Sequence, residues 1–295
     1  FKLIQAHAST LGVKVQELQH YLDLVATASA ADIVPILDEN RVLSYFGMQV
    51  YQQSPRPGLI ALLGERKQPA ITVTDLVFRV APRINAAGRM KHGTYAVELL
   101  LSETNEEASK RAEAIEAFNE DRKAQDRDIT EQALAQIEES GQTNKTSTVV
   151  YDPNWHKGVI GIVASRLIET HYKPTVVFTR SGVVLTASAR SVRVFDLYAS
   201  LSQCQEHMIQ FGGHKYAAGL TIRTEQYDGF CECFEQVVSR QIQSDQQERT
   251  LRIDMEIPIE EITPKFYRII NQMAPFGPGN MRPVLLSKGV TDRGN

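Results

Sequence analysis

Four short strings in this chain combine cations, hydroxyls and glycines in ways that suit a bound phosphate. Trp155-His156-Lys157-Gly158-Val159-Ile160-Gly161 lies between an extended run and a helical one. Free backbone N–H groups at that helix start, beside a His and a Lys, would hold an anion. A tight turn with a packing Trp explains the same string equally well. Thr186-Ala187-Ser188-Ala189-Arg190-Ser191 sets two serines around an Arg at a strand end, where charge-assisted bonds could grip a phosphate. A helix N-cap with a surface Arg is the plainer reading. Gly212-Gly213-His214-Lys215, followed by Ala217-Ala218-Gly219, suits a loop that holds an imidazole against a ligand, or an ordinary Gly-rich turn. Arg83-Ile84-Asn85-Ala86-Ala87-Gly88-Arg89 offers two guanidinium forks that fit phosphate, among small residues that permit close approach. A solvated basic turn is the alternative.

Two further patterns carry less. Asp126-Arg127-Asp128 has D-x-D spacing, but on a helix positions i and i+2 point about 200° apart and cannot share a metal ion. The string is assigned to solvent. Cys231-Glu232-Cys233 falls within an amphipathic helix with no second ligand pair and reads as packing.

The elements that must position these strings follow from periodicity. Phe1 to Leu22 reads as a helix with a stripe through Leu3, Ile4, Ala8, Leu11 and Val15. Asp23-Leu24-Val25-Ala26-Thr27-Ala28 reads as a small buried strand that runs into Ser29-Ala30-Ala31-Asp32-Ile33-Val34-Pro35. Residues 103–141 are rich in helix formers and lack Pro, with apolar patches at Ile115 and Phe118 and at Ile129, Ala133 and Ile137. So little apolar surface predicts a connector that touches the protein only at its ends. Residues 146–245 alternate extended runs (147–151, 175–179, 183–187, 218–222) with helical ones (158–170, 197–209, 226–242), an α/β domain. Residues 251–257 alternate as a strand, a short helix follows around 264–273, and 283–286 reads as another strand. Two strands do not make an independent domain, so this last module reads as incomplete.

The 295 residues amount to roughly two domains at about 150 residues each. A 42% hydrophobic, 23% charged composition excludes global disorder and a collagen-like repeat. No apolar run nears the ~18 residues of a membrane span, and the opening residues carry no signal-peptide pattern. Three cysteines are too few for a disulfide framework, which favours a reducing cytoplasm. The first residue is Phe, so the chain reads as a piece of a longer protein. The net charge of -3 conceals an asymmetry: residues 103–141 hold 5 Lys+Arg against 12 Asp+Glu, and residues 145–223 hold 9 against 4. The basic part is compatible with a phosphate-bearing partner and equally with solvated surface.

Taken in order, Asp23-Leu24-Val25-Ala26…Ala31-Asp32-Ile33-Val34-Pro35, Pro82–Arg89, Trp155–Leu167, Ser188–Ser191, Gly212–Gly219 and Pro275-Phe276-Gly277-Pro278-Gly279-Asn280 resemble the RecJ family. These are single-strand-specific 5′→3′ exonucleases of the DHH phosphoesterase superfamily. The Gly-Gly-His string is shared across that superfamily, whereas the Arg-Ile-Asn and Pro-Phe-Gly-Pro strings are more RecJ-like. The resemblance implies an α/β chain with the end of a DHH catalytic domain at 1–60 and a connector with a long helix at 61–145. It further implies a DHH-associated domain with a mixed sheet at 146–245 and the start of an OB-fold at 246–295. It implies phosphodiester hydrolysis in DNA repair and recombination with two Mn²⁺ or Mg²⁺ ions. Asp32, a better match than Asp23, would be catalytic and a metal ligand. Arg83, Asn85, Arg89, His156, Ser188, Arg190, Ser191, Gly212, Gly213 and His214 would bind nucleic acid. Single-stranded DNA is the implied partner, with a single-strand-binding protein or helicase beside it and no membrane.

The chain departs from that pattern in its metal ligands. None of its seven His residues is paired with another, and no metal-type Asp-x-Asp precedes Asp32. The expectation is a nucleic-acid-binding portion that is inactive alone. The alternatives are another DHH-superfamily phosphodiesterase, of nanoRNase or cyclic-dinucleotide type, and a non-catalytic module resembling the associated domain of alanyl-tRNA synthetase. The OB-like tail argues against the first, and Asp32 against the second.

Overall fold

A computed structural model describes residues 1–64, 70–193, 195–243 and 250–291, apart from the side chains of Ser9 and Val15. The chain forms two compact units, residues 1–119 with 251–295 and residues 120–250.

The first unit is helical: α1 (Lys2–Thr10), α2 (Leu22–Ala31), α3 (Asp38–Gln53), α4 (Pro57–Leu63), the short α5 (Val73–Asp75), α6 (Ala81–Met90) and α7 (Thr94–Leu100), then the first part of α8 (Asn105–Glu139). The expected helix over 1–22 breaks after Thr10 and resumes as a 3-10 segment at Val15–Tyr21. Most of its stripe stays out of the core. Leu3, Ile4 and Leu11 are exposed and only Ala8 is buried, while Val15 lies outside the described side chains.

The expected strand at 23–28 is instead helix α2. Its small residues decide this: Ala26 and Ala30 share a face and let α3 approach so closely that a Cβ on Gly47 would lie 2.2 Å from the Leu22 carbonyl oxygen. Asp23 is fully buried and ion-paired with Arg56 Nε at 2.9 Å. Leu62, Leu63, Leu76, Val80 and Leu99 pack with Tyr51 and Leu59 in one core.

Residues 251–291 lie on this same unit. Strands β6 (Met255–Glu256) and β7 (Leu285–Leu286) pair in parallel, both much shorter than the alternation suggests, and α12 (Pro264–Asn271) lies between them. The turn at 275–280 packs on the segment after α2. Ile36 N donates to the Pro278 carbonyl at 2.7 Å, and Arg41 donates to the carbonyls of Met273 (3.1 Å) and Ala274 (3.2 Å).

The second unit is α/β. Its sheet runs β1 (Thr148–Tyr151), β2 (Thr175–Ser181), β3 (Val184–Arg190), β5 (Ala217–Arg223), β4 (Gln210–His214), with β1–β2 parallel and the rest antiparallel. Alternation along β3 sends Leu185, Ala187 and Ala189 to one face. There they meet Leu197 and Leu201 of α10 (Leu197–Ser202) and Phe230 and Phe234 of α11 (Tyr227–Gln241). The other face is covered beside β2 and β3 by α9 (Ile160–Thr170), which buries Ile160, Val163, Ala164 and Leu167 at helical spacing. Strands β5 and β4 lie beyond that cover.

The last part of α8 is tied to this unit along its length, not only at its end. The Gln136 carboxamide exchanges two hydrogen bonds with the Tyr151 backbone (2.9 and 3.0 Å), and that of Gln142, just past the helix, does the same with Val149 (both 2.8 Å). Two side-chain amides thus stand where a sixth strand would pair, satisfying the β1 edge. Gln132 accepts from Trp155 Nε1 at 2.8 Å. Asp126, expected in solvent, is buried and accepts from Arg166 Nε at 2.8 and 2.9 Å, with Arg122 one turn away. Only Asp128 of that D-x-D pair is exposed. Cys231 and Cys233 lie in α11, and Cys233 Sγ lies 2.7 Å from buried Cys204 Sγ. The expected domain boundary at 245/246 lies outside the described residues.

Candidate nucleic-acid interface

Cross-strand register brings two of the sequence strings onto one face of the sheet. Arg190 pairs with Ala217, which pairs with His214; Ser188 pairs with Gly219, which pairs with Gly212. Directly opposed residues share a face, so Ser188, Arg190, Gly212 and His214 all lie on the face that carries α9, the first two half-buried beside that helix and the last two exposed beyond it. Two strand spacings put the Arg190 and His214 backbones about 10 Å apart. Gly212, Gly219 and His214 are exposed, and nothing lies within 4 Å of a Cβ placed on Gly212. The result is a shallow shelf floored by glycines, with a cation and an imidazole in one row.

The two glycines before His214 serve different purposes, and they sit in an edge strand rather than the expected loop. Gly212 leaves the shelf open. Gly213 has φ +156°, and a Cβ there would lie 2.3 Å from the Ala217 carbonyl oxygen, so the backbone itself demands glycine. The serines flanking Arg190 also divide. Ser188 Oγ accepts from Arg190 Nη1 at 2.9 Å, and the Ala189 carbonyl accepts from the same nitrogen at 2.8 Å, which fixes the guanidinium. Ser191 Oγ donates to backbone carbonyls of Val192 and Phe195, folding the next loop.

The start of α9 abuts this row. A Cβ on Gly161 would lie 2.9 Å from both Arg190 Nη2 and Ser188 Oγ. The glycine therefore leaves room for the arginine, a role visible only after folding. His156 precedes the helix and is half-buried; its Nδ1 accepts from Gly158 N at 3.1 Å. The Nδ1 of His214 accepts from Tyr216 N at 3.2 Å, which directs Nε2 away from that turn. Thr186 and Gly219, which lie within the quoted strings but were given no role, share this face with Thr221, which sequence reading missed although its period-2 spacing with Ala217 and Gly219 was a usable signal.

In the helical unit, Arg83, Asn85 and Arg89 lie on α6, which follows a π-helical turn at Leu76–Val80. Arg83 is ion-paired with Glu116 and donates to the Arg79 carbonyl at 2.7 Å. Asn85 and Arg89 are exposed one turn apart. Asp32 caps the end of α2, exposed, and is followed by Ile33 at φ 55°, an uncommon conformation for a β-branched residue. Among the described residues no group of three or more His, Cys, Asp or Glu side chains is placed to hold a metal ion. Asp32 by itself does not fit a two-metal centre, since each ion requires several ligands.

Residues 144–240 match the DHHA1 domain, and residues 253–294 match the RecJ OB domain. The chain is RecJ-like over nearly its whole length. It is 34% identical to the single-stranded-DNA-specific exonuclease RecJ of Bacillus subtilis over 99% of the chain and 37% of that relative. Against the Haemophilus influenzae RecJ it is 32% identical over 95% of the chain and 51% of the relative. It superposes on the crystal structure of Thermus thermophilus RecJ in complex with Mn²⁺ with a TM-score of 0.84 and 26% identity, covering 95% of this chain and 41% of that one. The RecJ-like chain thus spans from about a third to half the length of these relatives. Its fold is mixed α/β, with a DHHA1 domain followed by an OB-type segment.

Proposed function

We propose that this chain is the strand-gripping portion of a metal-dependent, single-stranded-DNA-specific 5′→3′ exonuclease that acts in DNA repair and recombination. The observation that carries the reading is the open shelf of the α/β unit, where Arg190, fixed by Ser188, and His214 share one row over glycines. A phosphate set there would meet a fixed guanidinium and an imidazole, while the absent side chains at Gly212 and Gly219 admit a sugar–phosphate backbone. Residues 1–60 would end a DHH catalytic domain, with Leu62, Leu76, Val80 and Leu99 packed into the same core and α8 connecting onward. Asp32 would contribute one carboxylate to a site whose other ligands are not among the described residues. The RecJ OB match at 253–294 favours this reading over a nanoRNase or cyclic-dinucleotide phosphodiesterase. A cytoplasmic setting suits the three free thiols. A helicase or single-strand-binding protein is the fitting partner, since both work where single strands are exposed.

The test is equilibrium binding of labelled single strands across a salt series. The expected result is weak binding whose logarithm falls linearly with the logarithm of salt, from counterion release. Salt-independent binding, or equal affinity for a blunt duplex, would refute the reading.

A further inference from the structure

We propose that a groove in the helical unit takes one unstacked base of a single strand. The proposal rests on the single-strand reading above. The groove, about 310 Å³, forms where α3, the segment at 71–74 and the turn at 274–276 meet, with Arg282 at its rim. Its floor is apolar, from buried Ile71 and Met48. On α3, Tyr45, Gln49 and Gln52 follow i, i+4, i+7 spacing and so line one side together. Tyr45 is 49% exposed although it borders an apolar floor. Opposite, the Arg282 guanidinium lies 5.2 Å from the centre of the Phe276 ring.

These groups match the parts of a nucleotide. Tyr45 and Phe276 offer aromatic surface for stacking, the dominant sequence-tolerant contact to single strands. Gln49 and Gln52 each carry a donor and an acceptor suited to a base edge. Arg282, held at the rim against an aromatic ring, is placed for the adjoining phosphate. The volume is at the small end for ligand sites, enough for one base but not a paired one. An apolar helix would instead need a longer groove with anchors at successive turns. The shape and the amides favour a base.

The experiment uses the 295-residue chain and a labelled oligothymidylate in which a single abasic site is moved through successive positions. One position is expected to weaken wild-type binding about five- to hundredfold. Tyr45→Ala and Arg282→Ala should bind the intact strand more weakly, and in Tyr45→Ala the abasic step should vanish. Tyr45→Phe, which keeps the ring, should restore it. Tyr45 and Arg282 are exposed, so melting temperatures should stay near wild type. If the abasic scan is flat, or Tyr45→Ala binds as wild type while Arg190→Ala still weakens binding, the base groove is overturned and the single-strand reading survives. If the wild-type chain binds no single strand, both fall.

Discussion

A methyl group on Gly161 would sit 2.9 Å from both Arg190 Nη2 and Ser188 Oγ, inside normal contact distance. Both atoms end side chains that can swing aside, so Gly161→Ala should displace the guanidinium rather than break the sheet. The stability effects oppose each other. Displacement disturbs the Arg190 bonds to Ser188 Oγ and to the Ala189 carbonyl, each contributing about 0.5–1.5 kcal/mol net. Alanine at the second position of α9 returns about 0.5–1 kcal/mol of helix propensity. The net change should lie between about zero and 2.5 kcal/mol of destabilisation. Binding should respond differently. Loss of a charge-assisted phosphate bond costs about 1.5–3 kcal/mol, roughly ten- to a hundredfold in affinity, and displacement should cost up to that limit. The assay pairs melting temperature with single-strand affinity for Gly161→Ala, Arg190→Ala and the double variant. The methyl acts only through the arginine, so it should have little further effect on affinity once Arg190 is alanine. Equal losses from Gly161→Ala in both backgrounds, or wild-type affinity in the single variant, would refute the arrangement.

Three other outcomes are expected. His214→Ala and Arg190→Ala should each weaken single-strand binding about tenfold or more, and a double-mutant cycle should be non-additive if one phosphate bridges the row; additive losses would assign them to separate contacts. Incubated with labelled single-stranded DNA and Mn²⁺, the chain should give no turnover, because Asp32 alone does not make a two-metal centre; turnover that disappears in Asp32→Ala would overturn this. Burial pushes the Glu235 carboxyl up, but hydrogen bonds from the backbone N–H and hydroxyl groups of Ser147 and Thr146 outweigh it and hold the pKa below the usual carboxylate range. Its stabilisation should be complete above about pH 4.3 and lost as pH falls through the depressed folded value, so the melting-temperature gap to Glu235→Gln should narrow on acidification; a constant gap would refute it.

The elements of the α/β unit were legible because their apolar periods were clean. Leu185, Ala187 and Ala189 alternate along β3, and Ile160, Val163, Ala164 and Leu167 recur at helical spacing. Strand β4 was not legible, since Gln210-Phe211-Gly212-Gly213-His214 is an edge strand with little apolar alternation. The α2 segment misled for a different reason: Leu-Val-Ala-Thr-Ala fits a buried strand until a partner helix without a Cβ at Gly47 makes close helix packing available. Asp126 misled because burial depends on a partner 40 residues away, Arg166, which local spacing does not reveal.

The same distinction separates the parts of the candidate site. Residue type alone could nominate Arg190 and His214, since a cation or an imidazole beside glycines is visible in the string. Type could not say which serine serves the arginine, because Ser188 and Ser191 are chemically identical and stand on either side of it. Strand alternation decides it: Ser188, two residues before Arg190 on β3, points to the same face, whereas Ser191 lies past the strand end and turns to the Val192 and Phe195 carbonyls. Register then determines what stands beside the arginine. The antiparallel pairing of β3 with β5 and of β5 with β4 places His214 level with it, although 24 positions separate them in the sequence. A slip of one residue in either pairing would send His214 to the face of Phe230 and Phe234. The buried core on that face, fixed by Leu185, Leu220 and their neighbours, is therefore what holds the polar row on the other face.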